Sequence, residues 1–225
     1  DFRDVDDAKL YEIGSAFIPR EQPVRQEPYE KLRLCIGMFG KYDFYDLKGI
    51  IEALLQRLGI DVTLKALTDN PTFHPGRSAA MYINNECIGI YGEASPKTLD
   101  NYGLDSKVFL AEIDIEGLLE HKNTDWKYKP LPKYPAMVRD IAVIVKETVP
   151  VGDMIEIISA ANPHLIESVE LFDIYKGEHI EEGYKSCAFS ITYRNKERTL
   201  KEKEVENIHN NILNELEKQF EAKLR

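Results

Sequence analysis

The sequence predicts an α+β protein of two domains, each containing a sheet and helices. Short apolar runs that alternate with polar residues recur along the chain and indicate strands, while a few segments show the 3.6-residue spacing of amphipathic helices. A polar, proline-bearing connector at 126–131 precedes Pro132, Pro135 and a run rich in valine and isoleucine. Because proline favours extended backbone in the residue before it, this stretch indicates a boundary. We expect domains at 1–130 and 131–225.

Composition restricts the classes of function. The 225 residues carry a net charge of −10, with 43% hydrophobic and 30% charged residues, which is typical of a globular protein. No apolar run reaches the length of a membrane span, and no signal peptide opens the chain. Cys35, Cys87 and Cys187 lack CxxC spacing, so we expect reduced thiols in a cytoplasmic protein, without a metal site.

The acidic charge balance argues against indiscriminate binding of polyanions. Residues 132–225 hold 13 Lys/Arg and 17 Asp/Glu, a net charge of −4, and the first part of the chain is acidic as well. Affinity for a nucleic acid depends on a local basic face rather than on the total charge. An RNA site in this protein would therefore be small or assisted by a partner.

The first domain is predicted to contain an antiparallel sheet with helices. Its first strand begins almost at once, so we expect a domain truncated at its N-terminus. Asp43 is a plausible N-cap, and Gly59 a plausible C-terminal residue, of a helix whose apolar stripe should pack on the domain's own sheet. Asn84-Asn85 predicts a tight hairpin, and residues 73–79 an irregular turn. The predicted strands are 10–18, 32–38, 60–67, 80–83, 87–91 and 108–113, with short helices at 95–102 and 115–120.

The second domain is predicted to have the element order βαββαβ. A strand precedes a helix that begins at Pro150-Val151, and two strands follow it. Thr199 and Glu202 have the spacing of a capping box and should open a long helix that reaches Phe220. Residues 222–225 form a short last strand. This order is that of the ferredoxin-like split βαβ unit.

Alternation along the predicted strands divides their side chains between two faces. The face covered by the helices should carry the large apolar side chains Ile141, Val143, Phe172, Ile174, Phe189 and Ile191. The opposite face should carry Asp140, Ala142, Asp173, Tyr175, Ser186, Ala188, Ser190 and Thr192. An exposed aromatic ring beside hydroxyl groups is a usual platform for reading unpaired bases. A solvated sheet face with Tyr175 as an ordinary exposed aromatic remains the alternative.

Basic residues gather near the turn before the last helix. Arg194, Lys196 and Arg198 could contact phosphates. The acidic residues among them, Glu197, Glu202 and Glu204, favour a solvated turn on charge alone.

The residues do not predict an active site. None of the five histidines has a partner at the spacing of a catalytic triad or a metal site. Glu93 and Glu112 could form a carboxylate pair, but single acids at strand ends are common. Gly89 to Gly92 lacks the pattern of a phosphate-binding loop.

The second domain resembles the ferredoxin-fold anticodon-binding domain that ends the bacterial phenylalanyl-tRNA synthetase beta subunit. Four segments carry this resemblance: YPAMVRDIA at 134–142, ELFDIY at 170–175, GYKS at 183–186 and RTL at 198–200. The first domain is similar to the region just before it in that subunit, through LYEIG at 10–14, DFYDLKG at 43–49, HPGRSA at 74–79 and GIYGE at 89–93. The resemblance covers essentially the whole chain in the expected order.

The resemblance implies a role in an (αβ)₂ ligase that uses ATP and magnesium to join phenylalanine to its tRNA. Catalysis would lie in the alpha subunit, and residues 1–130 would be a class II synthetase-like core that has lost its catalytic motifs and docks on that subunit. No cofactor would bind to this stretch. The implied partners are phenylalanine tRNA and the alpha subunit, with no DNA or membrane partner.

The resemblance also implies anticodon contacts on the face of the second domain's sheet that lies opposite the helices. Carried over by motif, they are Ala142, Asp173, Tyr175, Ser186 and Arg225. Tyr175 would stack on a base, Asp173 and Ser186 would bond base edges, Ala142 would leave room for a ring, and Arg225 would pair with phosphate or stack. Two alternatives remain: a regulatory or protein-interaction module that does not bind tRNA, and a piece that is purely structural.

Overall fold

The computed structural model describes residues 5–123, 125, 128 and 130–225. The chain forms two compact units, 1–127 and 128–225. The connector predicted at 126–131 falls partly outside the described residues, and the boundary at 130/131 stays a prediction. No helix in the described ranges is long and apolar enough to cross a membrane.

The first unit is an antiparallel six-stranded sheet with the order β1-β2-β6-β5-β4-β3. Two of its three described helices contribute to a core that includes Met38, Leu47, Met81 and Ile113. The strands are β1 (Ala8–Ile18), β2 (Tyr29–Phe39), β3 (Thr63–Ala66), β4 (Phe73–Ile83), β5 (Glu86–Ala94) and β6 (Val108–Asp114). The helices are α1 (Phe44–Leu58), α2 (Pro96–Tyr102) and α3 (Ile115–His121).

The caps of α1 are those that the sequence predicts. The Asp43 carboxylate accepts from the backbone N–H groups of Tyr45 and Asp46, at 2.8 and 3.0 Å, and Asp46 accepts from the Asp43 N–H at 2.9 Å. Gly59 ends the helix in the left-handed conformation, at φ 65°. The stripe of α1 is buried against the sheet of its own unit, as predicted.

Residues 73–79 differ from the predicted irregular turn, because they belong to β4. The pairing of β4 with β5 is interrupted between Phe73 and Ser78, which explains why the segment lacks a strand-like pattern. The Ser78 hydroxyl lies within hydrogen-bond distance of the carbonyls of Leu67 and His74, at 2.7 and 2.9 Å, and shares its single proton between them. In the hairpin beyond, Asn84 and Asn85 both have positive φ, as a type I′ turn requires.

The second unit has the predicted order βαββαβ and a four-stranded antiparallel sheet with the strand order β10-β7-β9-β8. Both helices contribute to one apolar core, which includes Val143, Phe189, Ile158 and Leu216. The strands are β7 (Met137–Lys146), β8 (Ile166–Tyr175), β9 (Tyr184–Tyr193) and β10 (Lys223–Leu224). The helices are α4 (Val151–Ala160) and α5 (Glu202–Phe220).

The predicted capping box of α5 is wrong. The helix begins at Glu202 with Lys201 as its N-cap, and no side chain bonds its first N–H groups. Leu200 is buried in the core, which holds the chain extended up to the helix. Arg198 reaches Glu204 in the first turn through two hydrogen bonds of 2.9 and 2.6 Å.

Strand β8 also departs from simple alternation. Val169 and Leu171 lie opposite Ile191 and Phe189 of the buried β9 row, whereas Ile174 lies opposite Cys187 of the same row. Residues 171 and 174 can share a face only if one residue is inserted between them, and the register shifts at this point. Phe172, predicted to face the helices, is instead 59% exposed.

Candidate nucleic-acid interface

The strand pairing brings most of the predicted anticodon residues to one face of the second sheet. Directly opposite residues of an antiparallel pair point to the same side. Tyr175 lies opposite Ser186, and Asp173 lies opposite Ala188, which in turn lies opposite Ala142 on β7. This side is opposite the buried row that contains Phe189. We call it the open face; it carries Ala142, Asp173, Tyr175, Ser186, Ala188 and Ser190.

The last residue reaches the same face from the other edge of the sheet. Helix α5 ends at Phe220, and Glu221 turns the chain with a left-handed backbone, at φ 55°. The Lys146 ammonium bonds the Glu221 carboxylate at 2.7 Å, and this pairing lowers the pKa of Glu221. Strand β10 then pairs with β7, and the Arg225 N–H donates to the Ala142 carbonyl at 3.0 Å.

The Arg225 side chain extends across the open face. Its Cζ lies over the Tyr175 ring, 5.1 Å from the ring centroid, in a cation–π contact. Arg225 is anchored on β7, and Tyr175 stands on the edge strand β8. Strand β9 lies between β7 and β8, and neighbouring strands are about 4.8 Å apart. The two side chains therefore meet across β7 and β9. It joins the two ends of the predicted site.

Ser186 stands on the same face, on a strand between β7 and β8, and is buried. It stands on β9, opposite Tyr175 on one side and Ile144 on the other, and only 2% of its surface is exposed. Its neighbour Ala188 is 9% exposed. Alternation predicts that Ser186 points to the open face, but it does not predict that other side chains cover the serine.

Carboxylates surround the part of the open face that lies around Ser190 and Ala188. Asp140 and Glu170 lie opposite Ser190 from its two sides, and exposed Asp173 lies opposite Ala188. Ionised carboxylates are acceptors only, so they suit the amino and imino groups of base edges and repel phosphates. The face is therefore chemically suited to bases rather than to the sugar–phosphate backbone.

Comparison with known proteins relates the two units to one family. Residues 2–115 match the family described as the phenylalanyl tRNA synthetase beta chain CLM domain, which is half of the chain. The chain belongs to the phenylalanyl-tRNA synthetase beta-chain family. Residues 132–225 match the ferredoxin-fold anticodon binding domain.

Relatives in this family are similar along nearly the whole chain. The phenylalanine–tRNA ligase beta subunit of Clostridium tetani is 43% identical over 219 residues, and that of Clostridium acetobutylicum is 40% identical over 219 residues; each match covers 97% of this chain. The Bacillus subtilis beta subunit is 34% identical over 234 residues. The chain spans only 28–29% of the length of these relatives. A solved pyrrolysyl-tRNA synthetase from Desulfitobacterium hafniense aligns over 52% of the chain at 15% identity, with a TM-score of 0.42, which is too low to establish a shared fold.

In this family member, the predicted phosphate contacts are not near the predicted anticodon residues. Arg194 follows the far end of β9, eight residues beyond Ser186, or about 26 Å along the strand. Its guanidinium donates to Glu167 and to the Tyr134 carbonyl, each at 2.8 Å. Arg198 is paired with Glu204, whose pKa this hydrogen bond lowers. Lys196 is exposed and lines a cavity of about 640 Å³ with His164 and Glu197.

Glu93 and Glu112, which the sequence offered as a possible carboxylate pair, do not pair in the first unit. Glu112 lies opposite Ile90, and Glu93 belongs with Tyr91 to the other, helix-covered face of β5. The buried Glu93 carboxylate instead accepts two hydrogen bonds from Arg77, at 2.9 and 2.8 Å. Among the described residues, no three His, Cys, Asp or Glu side chains are arranged as metal ligands.

Gly177 is a residue of the site that the sequence analysis does not identify. A Cβ on Gly177 would lie 2.6 Å from Cζ of Tyr175 and closer still to its hydroxyl oxygen. The tyrosine ring therefore rests against the backbone that follows β8. In the sequence, the only sign of this contact is a glycine two residues after an aromatic residue. That sign can be interpreted only when the position of the Tyr175 ring is known.

Proposed function

We propose that this chain is the tRNA-binding and subunit-docking portion of a phenylalanine–tRNA ligase beta subunit. Its second unit reads the anticodon of phenylalanine tRNA on the open face. The supporting observation is the Arg225–Tyr175 contact, because it brings a cation and an aromatic ring together on the face that also carries Ser186, Asp173 and Ala142.

Each side chain has a role that follows from its chemistry. Tyr175 offers a ring on which a base stacks, and Asp173 accepts hydrogen bonds from a base edge. Ser186 donates to or accepts from a base once it is uncovered, and Ala142 leaves room for a ring. Arg225 supplies the charge for the adjacent phosphate, or it stacks its guanidinium on the base. Arg194, Lys196 and Arg198 would touch a phosphate only on another part of the tRNA, because they follow the far end of β9.

The first unit is proposed to be non-catalytic. It would act as a class II synthetase-like core that docks on the alpha subunit of a cytoplasmic (αβ)₂ enzyme. ATP and magnesium would serve the reaction in the alpha subunit, which would join phenylalanine to the tRNA.

The test is a titration of the full chain with the anticodon stem-loop of phenylalanine tRNA at two salt concentrations. A stem-loop with altered anticodon bases serves as the matched control. We expect weaker binding to the altered loop and a shallow dependence on salt, since each phosphate contacted contributes a slope of only about −0.7 in single strands. Equal affinity for the two loops would contradict base reading. Absence of binding together with association with the alpha subunit would support a docking module instead.

A further inference from the structure

Gly177 allows Tyr175 to occupy its observed position. The backbone of Gly177 does not have positive φ, so an alanine there would meet no strain of its own. The tyrosine ring is the nearest obstacle, since the three atoms nearest to a Cβ at 177 all belong to Tyr175. Any side chain at 177 therefore displaces the ring.

In that position, the ring and the Arg225 side chain cover the centre of the open face. Arg225 comes from the β10 edge, Tyr175 stands on the β8 edge, and the two side chains meet across the strands between them. The low exposure of Ser186 and Ala188, 2% and 9%, agrees with a cover over these residues.

We propose that Gly177 is a positioning residue for base reading and that the unliganded site is closed. Gly177 holds Tyr175 where its ring meets Arg225, and a base enters by replacing the guanidinium on that ring, which uncovers Ser186. This inference rests on the proposed function for the identity of the ligand. The closed cover is a property of the free protein and can be tested without RNA.

The first experiment measures the accessibility of residue 186 in the full chain without RNA. Ser186→Cys is placed in a background with Cys35→Ser and Cys87→Ser, which removes the exposed thiols, while Cys187 stays buried. An exposed cation–π contact changes an open–closed ratio by about two- to fivefold. We therefore expect that the Arg225→Gln substitution raises the alkylation rate of the new thiol about two- to fivefold. The Gly177→Ala substitution should raise this rate as well.

Gly152→Ala is the matched control, because Gly152 lies in α4 with no atom near its would-be Cβ. It should leave the alkylation rate unchanged. If the thiol at 186 reacts equally fast with and without the Arg225→Gln substitution, the closed cover does not exist.

The second experiment is a double-mutant cycle with the anticodon stem-loop. Gly177→Ala should weaken binding by a factor that approaches that of Tyr175→Ala, and it should have no further effect when Tyr175 is already replaced by alanine. An equal loss in both backgrounds would show that Gly177 does not act through Tyr175 and would overturn its positioning role. If the alkylation rates follow the expected pattern but binding ignores the anticodon, the cover stands and the proposed function fails.

Discussion

The Tyr193 hydroxyl lies 3.2 Å from Nδ1 of the partly buried His209, at the border of the core of the second unit. Tyr193 is fully buried, and burial raises its pKa to about 12, so it stays protonated and can donate to the imidazole. Burial, with a smaller contribution from Arg139, lowers the pKa of His209. The neutral imidazole is therefore the form that the fold favours.

This pair predicts a loss of stability in acid. The unfolded chain takes up a proton at the ordinary histidine pKa of about 6.5, whereas the folded chain takes it up only at a lower pH. The neutral His209 side chain thus makes its full contribution to the free energy of unfolding above about pH 6.5. Below that pH the contribution decreases, by at most about 1.4 kcal/mol per pH unit. Urea unfolding of the full chain, read by hydrogen exchange in β9 and α5, should show this slope.

His209→Gln should flatten the acid dependence of the second unit. His179→Gln is the matched control, because His179 is exposed in a loop. An unchanged slope in the His209 variant would mean that other groups cause the acid sensitivity.

Tyr175→Ala should weaken binding of the anticodon stem-loop by about 1–3 kcal/mol, the usual value of a base stacked on an aromatic ring. Tyr175→Phe keeps the ring and should retain most of the affinity. Calorimetric titration of both variants measures the difference. Tyr102→Ala, at an exposed tyrosine in the first unit, should change nothing. Equal affinities of the Tyr175→Ala variant and the unsubstituted protein would exclude stacking at this position.

The irregular register of β8 predicts which of two neighbouring side chains stabilises the second unit. Leu171 packs against the core, whereas Phe172 is 59% exposed. Leu171→Ala should lower the free energy of unfolding by about 1–2 kcal/mol, less than for a fully buried leucine. Phe172→Ala should change it by no more than about 0.5 kcal/mol. The opposite ranking in urea titrations would argue for unbroken alternation along β8.

Arg77 and Lys107 both approach the Glu93 carboxylate, and we expect them to differ in how much they stabilise the first unit. Arg77→Ala leaves a buried carboxylate without its two short hydrogen bonds and should destabilise the first unit by about 1 kcal/mol, the lower end of the usual range because Arg77 is half exposed. Lys107 approaches only to 3.9 Å and is 66% exposed, so Lys107→Ala should have little effect. Hydrogen exchange in β4 and β5 measures both, and equal losses would contradict this ranking.

The order of elements and the caps of α1 could be predicted because they depend on local chemistry. Asp43 and Gly59 act within a few residues of their own positions. The buried rows of β7 and β9 follow period 2 without interruption, so alternation assigns Ile141 and Phe189 correctly. Val169 and Leu171 have odd numbers and Ile174 an even one, so strict alternation cannot place all three on the buried face. The local pattern could not show that an inserted residue in β8 brings them to the same face.

Periodicity along the chain was sufficient to predict the βαββαβ order and the side chains that β7 and β9 place on the open face. Three features could be learned only from the tertiary structure: the Arg225 side chain reaches Tyr175 across the sheet, Ser186 is buried, and Arg194 is paired far from the site. These relationships join residues on different strands or at opposite ends of one strand. Their geometry is set by strand order and side-chain packing, which no local pattern records.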